Sequence, residues 1–267
     1  MNTKIAVWRI FGSLVVVAIV LTSGAPLAHA ADPDYSAWQT LLTKYYDPAR
    51  GMDYAALKAK DTATLNALRQ RMAAVNVASL TPQEQLAYWI NLYNISTIGV
   101  IIDNYPTKSI RDISTDPIIR LNVFKKPYVK FGNGSMSLND VENVKIRDGF
   151  KDARIHFAIN CAAASCPPIR PEPYVGSKLS AQLDDQTRKF LNGPKGVRLE
   201  QKGSNLTIHT TKIMDWFGED FDKWGGGKVA FIRKYVTPDK QQMIDQVQGK
   251  ARISYQDYSW ALNDWKR

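Results

Sequence analysis

Thr81-Pro82-Gln83-Glu84-Gln85-Leu86-Ala87-Tyr88-Trp89-Ile90-Asn91-Leu92-Tyr93-Asn94 is the stretch that decides the fold. Thr81 with Glu84 three residues on is a capping box, and Pro82 stands at the first helical position, where a missing N–H costs nothing. After Gln85 the chain is apolar nearly all round as far as Ile102. A helix that is apolar on every face is buried. Tyr105-Pro106 stops it, because the residue before a proline disfavours helical backbone. The reading is therefore a buried central helix from Pro82 to about Ile102.

Asn91 and Asn94 interrupt that helix three residues apart, on one face. A buried amide left unpaired costs about 1–3 kcal/mol, so both are expected to have partners. They either tie down a loop or strand end, or they orient a catalytic group or a substrate.

Working outward, residues 35–46 read as a helix with Trp38, Leu41, Leu42 and Tyr45 on one face, and residues 53–74 as a second. Tyr128 to Ser137 reads as a hairpin turning at Gly132-Asn133-Gly134. Leu138 to Asp148 reads as a short helix, capped by Asn139 or Asp140 and closed by Gly149. Arg154 to Asn160 reads as a strand and Ser177 to Leu191 as an amphipathic helix. Val197 to Thr210 reads as a second hairpin turning at Gly203-Ser204. Short helices are expected at 211–223, 228–236 and 239–249, and a last strand at Ile253 to Tyr255. Helices mixed with hairpins, without βαβ alternation, indicate α+β. The expected architecture is a helix-rich single domain over 31–267, with a buried central helix and a small antiparallel sheet built from hairpins.

Residues 1–30 have the layout of a secretory signal. Lys4 and Arg9 precede an apolar run from Ile10 to Leu21, and Ala28-His29-Ala30 is an A-x-A cleavage site. The run falls short of the ~20 residues a spanning helix needs, so no membrane span is expected after cleavage. A periplasmic or secreted location permits disulfides. The net charge of +10 becomes +8 when Lys4 and Arg9 leave, since residues 1–30 contain no Asp or Glu. That excess suits solubility or an anionic envelope partner. The basic residues are scattered rather than striped, and no nucleic-acid module is present.

The chemistry concentrates at Ile155-His156-Phe157-Ala158-Ile159-Asn160-Cys161 and the following Ala162-Ala163-Ala164-Ser165-Cys166-Pro167-Pro168, which holds both cysteines of the chain. On a strand, His156 and Cys161 are five residues and ~16 Å apart, whereas a reversal through the small residues brings Cys166 back towards His156. Three states of the pair are open: a structural Cys161–Cys166 disulfide, a free thiol nucleophile, or a reduced pair that is inert or redox-active. The C-x₄-C spacing is not the C-x-x-C of thioredoxin-like sites. Glu142 is a candidate to orient His156 as the acid of a triad does. Two histidines outside the leader, His156 and His209, are a thin set for zinc, so neither a metal nor a cofactor is expected.

Four motifs then point to a family. Tyr88 to Asn94, Arg154 to Cys161, Ser165-Cys166-Pro167 and the closing Tyr258-Ser259-Trp260-Ala261-Leu262-Asn263 together resemble the family catalogued as domain of unknown function 547. Asp215-Trp216-Phe217 with Asp220-Phe221 is similar to its late tryptophan-containing motif. The resemblance spans about 85–263 and implies an exported bacterial protein, without an activity attached. Val141-Glu142-Asn143 stands where the family often has Ile-Glu-His, and Ser259 and Ala261 stand where it often has Asp and Ser.

Two functions fit these residues. One is a Cys–His hydrolase or acyltransferase, with Cys166 as nucleophile, His156 as base, Glu142 as orienter and Asn160 or Asn91 as oxyanion donor, in a cleft also lined by Asn94 and Cys161. The other is a non-catalytic envelope binding module in which the disulfide and the buried amides hold the fold.

Overall fold

The computed structural model describes residues 32–113, 122–247 and 249–265. The leader reading at residues 1–30 lies outside them. Helix α1 (Ser36–Tyr45) buries Trp38, Leu41, Leu42 and Tyr45, as its spacing requires, and a short β1–β2 ribbon (Tyr46–Asp47 with Gly51–Met52) turns it into α2 (Tyr54–Ala73). The central helix α3 runs from Pro82 to Asn104. Both arms of its capping box form: Glu84 N–H donates to Thr81 Oγ1 and Thr81 N–H donates to the Glu84 carboxylate. Every residue from Leu86 to Ile102 is buried. Helices α1 and α2 and the hairpin β3–β4 (Val129–Phe131 with Gly134–Met136) pack around it.

The segment after that hairpin differs from the expected helix in its cap and its winding. Ser137, not Asn139 or Asp140, is the N-cap, and Asp140 completes the box as its third residue. The helix starts as α4 (Leu138–Asp140), widens into π turns over Val141–Arg147 and closes as α5 (Asp148–Phe150). It ends at Lys151, which takes the left-handed conformation (φ 54°). Widened turns of this kind are frequent at functional sites, and this one carries Glu142 and Arg147.

Helix α6 (Leu179–Asn192) leads to the second hairpin, β5–β6 (Arg198–Lys202 with Asn205–Thr210). Four short helices follow: α7 (Ile213–Trp216), α8 (Gly218–Lys223), α9 (Lys228–Tyr235) and α10 (Pro238–Gln246). Both hairpins are antiparallel, but the last strand, β7 (Ala251–Tyr255), joins β6 in parallel, which makes this sheet three-stranded. Among the described residues no helix is long and apolar enough to cross a membrane.

The expected strand at Arg154 to Asn160 is instead a 3₁₀ helix, Ala153–Phe157, followed by a turn. Asp152 caps it by accepting from the Arg154 N–H. The run is buried on all sides from Ile155 to Asn160, so alternation cannot reveal its conformation. Two hydrophobic clusters meet here. Ile155, Ala158 and Ile159 belong to the one around α3, while Ala153 and Phe157 belong to the one formed by α6, α8, α9 and the second sheet. A single turn of helix, pointing successive side chains in different directions, can serve both.

The buried amides of α3 take the tying role. Asn94 Nδ2 donates to the Ala158 carbonyl at 3.0 Å, and its Oδ1 accepts from the Asn160 N–H at 2.8 Å. Asn91 does the same for both backbone groups of Tyr174, at 2.7 and 3.1 Å. The C-terminal segment is sewn in at several points. Met52 N–H donates to the Asn263 carbonyl, Trp265 N–H to Met52, and Asn263 N–H to Ala162. Gly51 (φ 103°) must be glycine here, since a Cβ would lie 2.3 Å from the Asn263 carbonyl oxygen. Replacing Asn94 by Ala strands two buried backbone groups, at about 1–3 kcal/mol each. Denaturant unfolding of Asn94→Ala is expected to show a loss of roughly 2–4 kcal/mol, and a loss below ~1 kcal/mol would refute the clamp.

Candidate functional site

A cavity of about 200 Å³ lies where the two clusters meet the C-terminal segment. Its wall combines aromatic rings (Tyr93, Phe124, Trp216, Phe217, Tyr258, Trp260) with Glu142, His156, Cys161 and Cys166. The expected catalytic residues Glu142, His156 and Cys166 thus converge, and Cys161 joins them. The expected amides do not: Asn91, Asn94 and Asn160 are absent from the wall. Asn160 Nδ2 donates to the Pro167 carbonyl at 2.7 Å, and its Oδ1 accepts from the Ala162 N–H and from Asn263 Nδ2. The Asn160 and Asn91 side-chain N–H groups are thus engaged by backbone carbonyls. They brace the backbone that carries the site.

The partner of His156 is not Glu142. His156 Nε2 lies 2.7 Å from Asp220 Oδ2, and Arg147 grips the same carboxylate with two bonds, at 2.7 and 2.8 Å. Arg147 is itself steadied by a bond to Asn143. Burial opposes ionisation of Asp220, but the His156 and Arg147 bonds outweigh it and hold its carboxyl down to about 2. An ionised Asp220 only accepts, so the proton sits on Nε2 and the Nδ1 lone pair of His156 is left as a base. Burial also pulls the imidazole pKa below its ordinary value, with Asp220 acting in opposition. His156 is thus neutral at neutral pH. Its ring stacks on Phe217, centroids 4.2 Å apart.

Sequence reading missed Asp220 in this role. The one signal was its place in the Asp215-Trp216-Phe217 and Asp220-Phe221 motif. The strand geometry assumed for His156 also misplaced its neighbours, because a 3₁₀ turn sends the side chain towards α8 rather than along a sheet face.

Glu142 has a different environment. It is part-buried, and desolvation dominates, pushing its carboxyl up to about 7. Tyr93 donates to it at 3.3 Å and Arg147 attracts it, both opposing that rise, while Asp220 adds to it. The carboxyl is therefore an acid poised near neutrality, beside a neutral base. Two titratable groups with separated affinities for a proton are what acid–base catalysis uses.

Cys161 and Cys166 are joined in a disulfide. In this form Cys166 has no thiolate and is not a nucleophile. Ala162 (φ 59°) makes the reversal between them. Tyr258 Oη lies 3.1 Å from Cys166 Sγ and 3.2 Å from Cys161 Sγ, and the Cys161 N–H donates to Cys166 Sγ at 3.1 Å. Burial raises the Tyr258 pKa, and Glu142 adds to the effect, so the hydroxyl stays protonated and donates. Trp216 stands at the mouth, 46% exposed, against Tyr258 and Trp260. Among the described residues no group of three or more His, Cys, Asp or Glu is placed to hold a metal ion. His209 pairs with Glu200 on the second hairpin, and neither residue is among those lining the cavity.

Residues 77–191 match the model of a family described as protein of unknown function, DUF547. The chain resembles this family over a stretch that includes the central helix, Glu142, His156 and both cysteines. Asp220 and Tyr258 lie beyond the matched residues. Comparison with the curated proteins and with the solved structures finds no match.

Glu142 makes a pH signature testable. Its pKa in the fold, about 7, stands above the ordinary 4.5, so folding holds its proton more tightly. That contribution is complete below the ordinary value and is lost as pH rises through 7. Between pH 5 and 8 the wild type should lose roughly 2–3 kcal/mol of stability relative to Glu142→Gln. Paired denaturant titrations with a constant difference would refute the assignment.

Proposed function

We propose that this is an exported enzyme of the cell envelope that performs hydrolysis or acyl transfer in the aromatic cavity. The observation that carries the reading is the 2.7 Å Asp220–His156 bond at the wall that also holds Cys166. An acid–imidazole pair that shares a cavity wall with a cysteine supplies the base that thiol activation needs.

The reaction requires the reduced pair. His156 Nδ1 takes the Cys166 proton, and the thiolate sulfur attacks the substrate's acyl carbon. The bond to the leaving group breaks, and protonated Glu142 supplies its proton. A thioester on Cys166 remains, and water or an acceptor hydroxyl or amine attacks it, regenerating the thiol. Asp220 keeps the imidazole in the required tautomer and stabilises the imidazolium that forms. Glu142 moves from the orienting role assigned by sequence to that of general acid. The aromatic wall shields the thioester and offers rings for an apolar or sugar-like part of the substrate.

A second reading is favoured by the bonded disulfide. In it the cleft is a binding site of an envelope module, the disulfide is structural and the positive charge of the chain attracts an anionic partner. The two readings separate on the reduced protein. With an activated ester as probe, mass spectrometry is expected to find the acyl group on Cys166, and none in Cys166→Ser. His156→Ala should slow acylation by about 10²–10⁴. The rate should fall as pH rises above about 7, where Glu142 loses its proton. Hydrolysis that persists in Cys166→Ser, or no adduct at all on the reduced wild type, would sink the enzyme reading.

A further inference from the structure

The disulfide sits in an unusual place for a structural staple. It lines a cavity, and its two sulfurs differ. Cys166 is 5% exposed, while Cys161 is only part-buried. Cys166 Sγ receives the Cys161 N–H at 3.1 Å and faces the Tyr258 hydroxyl at 3.1 Å. Among the described residues, Cys161 Sγ has the hydroxyl alone, at 3.2 Å. Tyr258 has one proton and gives it to one sulfur at a time, so a negative charge is better accommodated on Cys166. Leaving-group stability and access of the attacked sulfur are among the factors that set the course of thiol–disulfide exchange.

We infer that the Cys161–Cys166 disulfide is a thiol–disulfide exchange site for a small thiol, with Cys161 the sulfur attacked and Cys166 the leaving thiolate. The thiolate of the small molecule attacks Cys161 Sγ and forms a mixed disulfide. The Cys161–Cys166 bond breaks, and its electron pair goes to Cys166 Sγ, held by the Cys161 N–H and the Tyr258 hydroxyl. A second thiolate then attacks the small molecule's sulfur in the mixed disulfide. Cys161 leaves as a thiolate, and Cys161 and Cys166 take up from water the two protons that the small thiols released to it. Two small thiols are oxidised to one disulfide, and the protein disulfide is reduced to two thiols. The recessed position in a cavity of about 200 Å³ selects a small thiol rather than a folded protein dithiol.

The inference stands apart from the acyl-transfer reading, although its product is the free Cys166 on which that reading relies. Exchange is read by mass alone, with no acyl substrate present, so either idea can fail without the other. The purified oxidised protein is treated with reduced glutathione, quenched in acid, alkylated and mapped. The expected adduct is glutathione on Cys161 with Cys166 alkylated. Tyr258→Phe should slow appearance of the adduct about tenfold. The regiochemistry is measured on the wild type and so does not depend on the variant folding. Glutathione found on Cys166, or a disulfide opened only on denaturation, overturns the inference. Equal rates in a folded Tyr258→Phe overturn the role of the hydroxyl. Rapid reduction by a thioredoxin-type protein dithiol with glutathione inert overturns the assignment to a small thiol.

Discussion

The amide of Asn94 is the constraint on which the site depends. It is held on the central helix α3, buried from Leu86 to Ile102, and it satisfies both a carbonyl and an N–H of the turn at Ala158–Asn160. That turn has His156 just before it and Cys161 just after it. Asn160 passes the constraint on to the Pro167 carbonyl, the Ala162 N–H and the side chain of Asn263. Three distant parts of the chain are thereby set against one another through side-chain amides. An irregular segment buried on all sides has no strand partner or long helix to pair its backbone groups, and leaving them unpaired would cost more than the amides do.

A second constraint is electrostatic. Asp220 draws Arg147 from the widened helix and His156 from the 3₁₀ turn onto one carboxylate. The two basic groups keep it ionised in spite of burial, and its charge in turn fixes which imidazole nitrogen carries the proton. Glu142, a short way along the same helix from Arg147, lacks such a grip and is dominated by desolvation instead. The cavity wall thus holds a carboxyl that titrates near neutrality, while the carboxylate behind His156 stays charged. The contrast arises from partners and burial, not from residue type.

The cysteine pair is seated by the same framework. The C-terminal segment closes over it through Ala164 N–H to the Ala261 carbonyl and Ser165 N–H to the Ser259 carbonyl, which brings Tyr258 onto both sulfurs. Those bonds run through the backbone of Ser259 and Ala261. The seating is done by main-chain groups. The disulfide, the acid–imidazole pair and the aromatic rings are thereby parts of one cavity rather than separate features.

Much of the fold was legible along the chain. Local signals specified the capped central helix, the amphipathic face of α1, both hairpins with their glycine turns and the α+β class, because caps, turns and periodicity act over a few residues. The grouping of His156 with the two cysteines was also legible, as reactive types near one turn. What the chain could not show was the conformation of 153–160, whose burial on every side erases periodicity, the parallel docking of β7, and the identity of the acid beside His156. Asp220 lies 64 residues from His156, and no local rule reaches that far. Which carboxylate is charged, which amide is structural and which sulfur is the better leaving group depend on through-space burial and hydrogen bonding, and only the tertiary structure decides them.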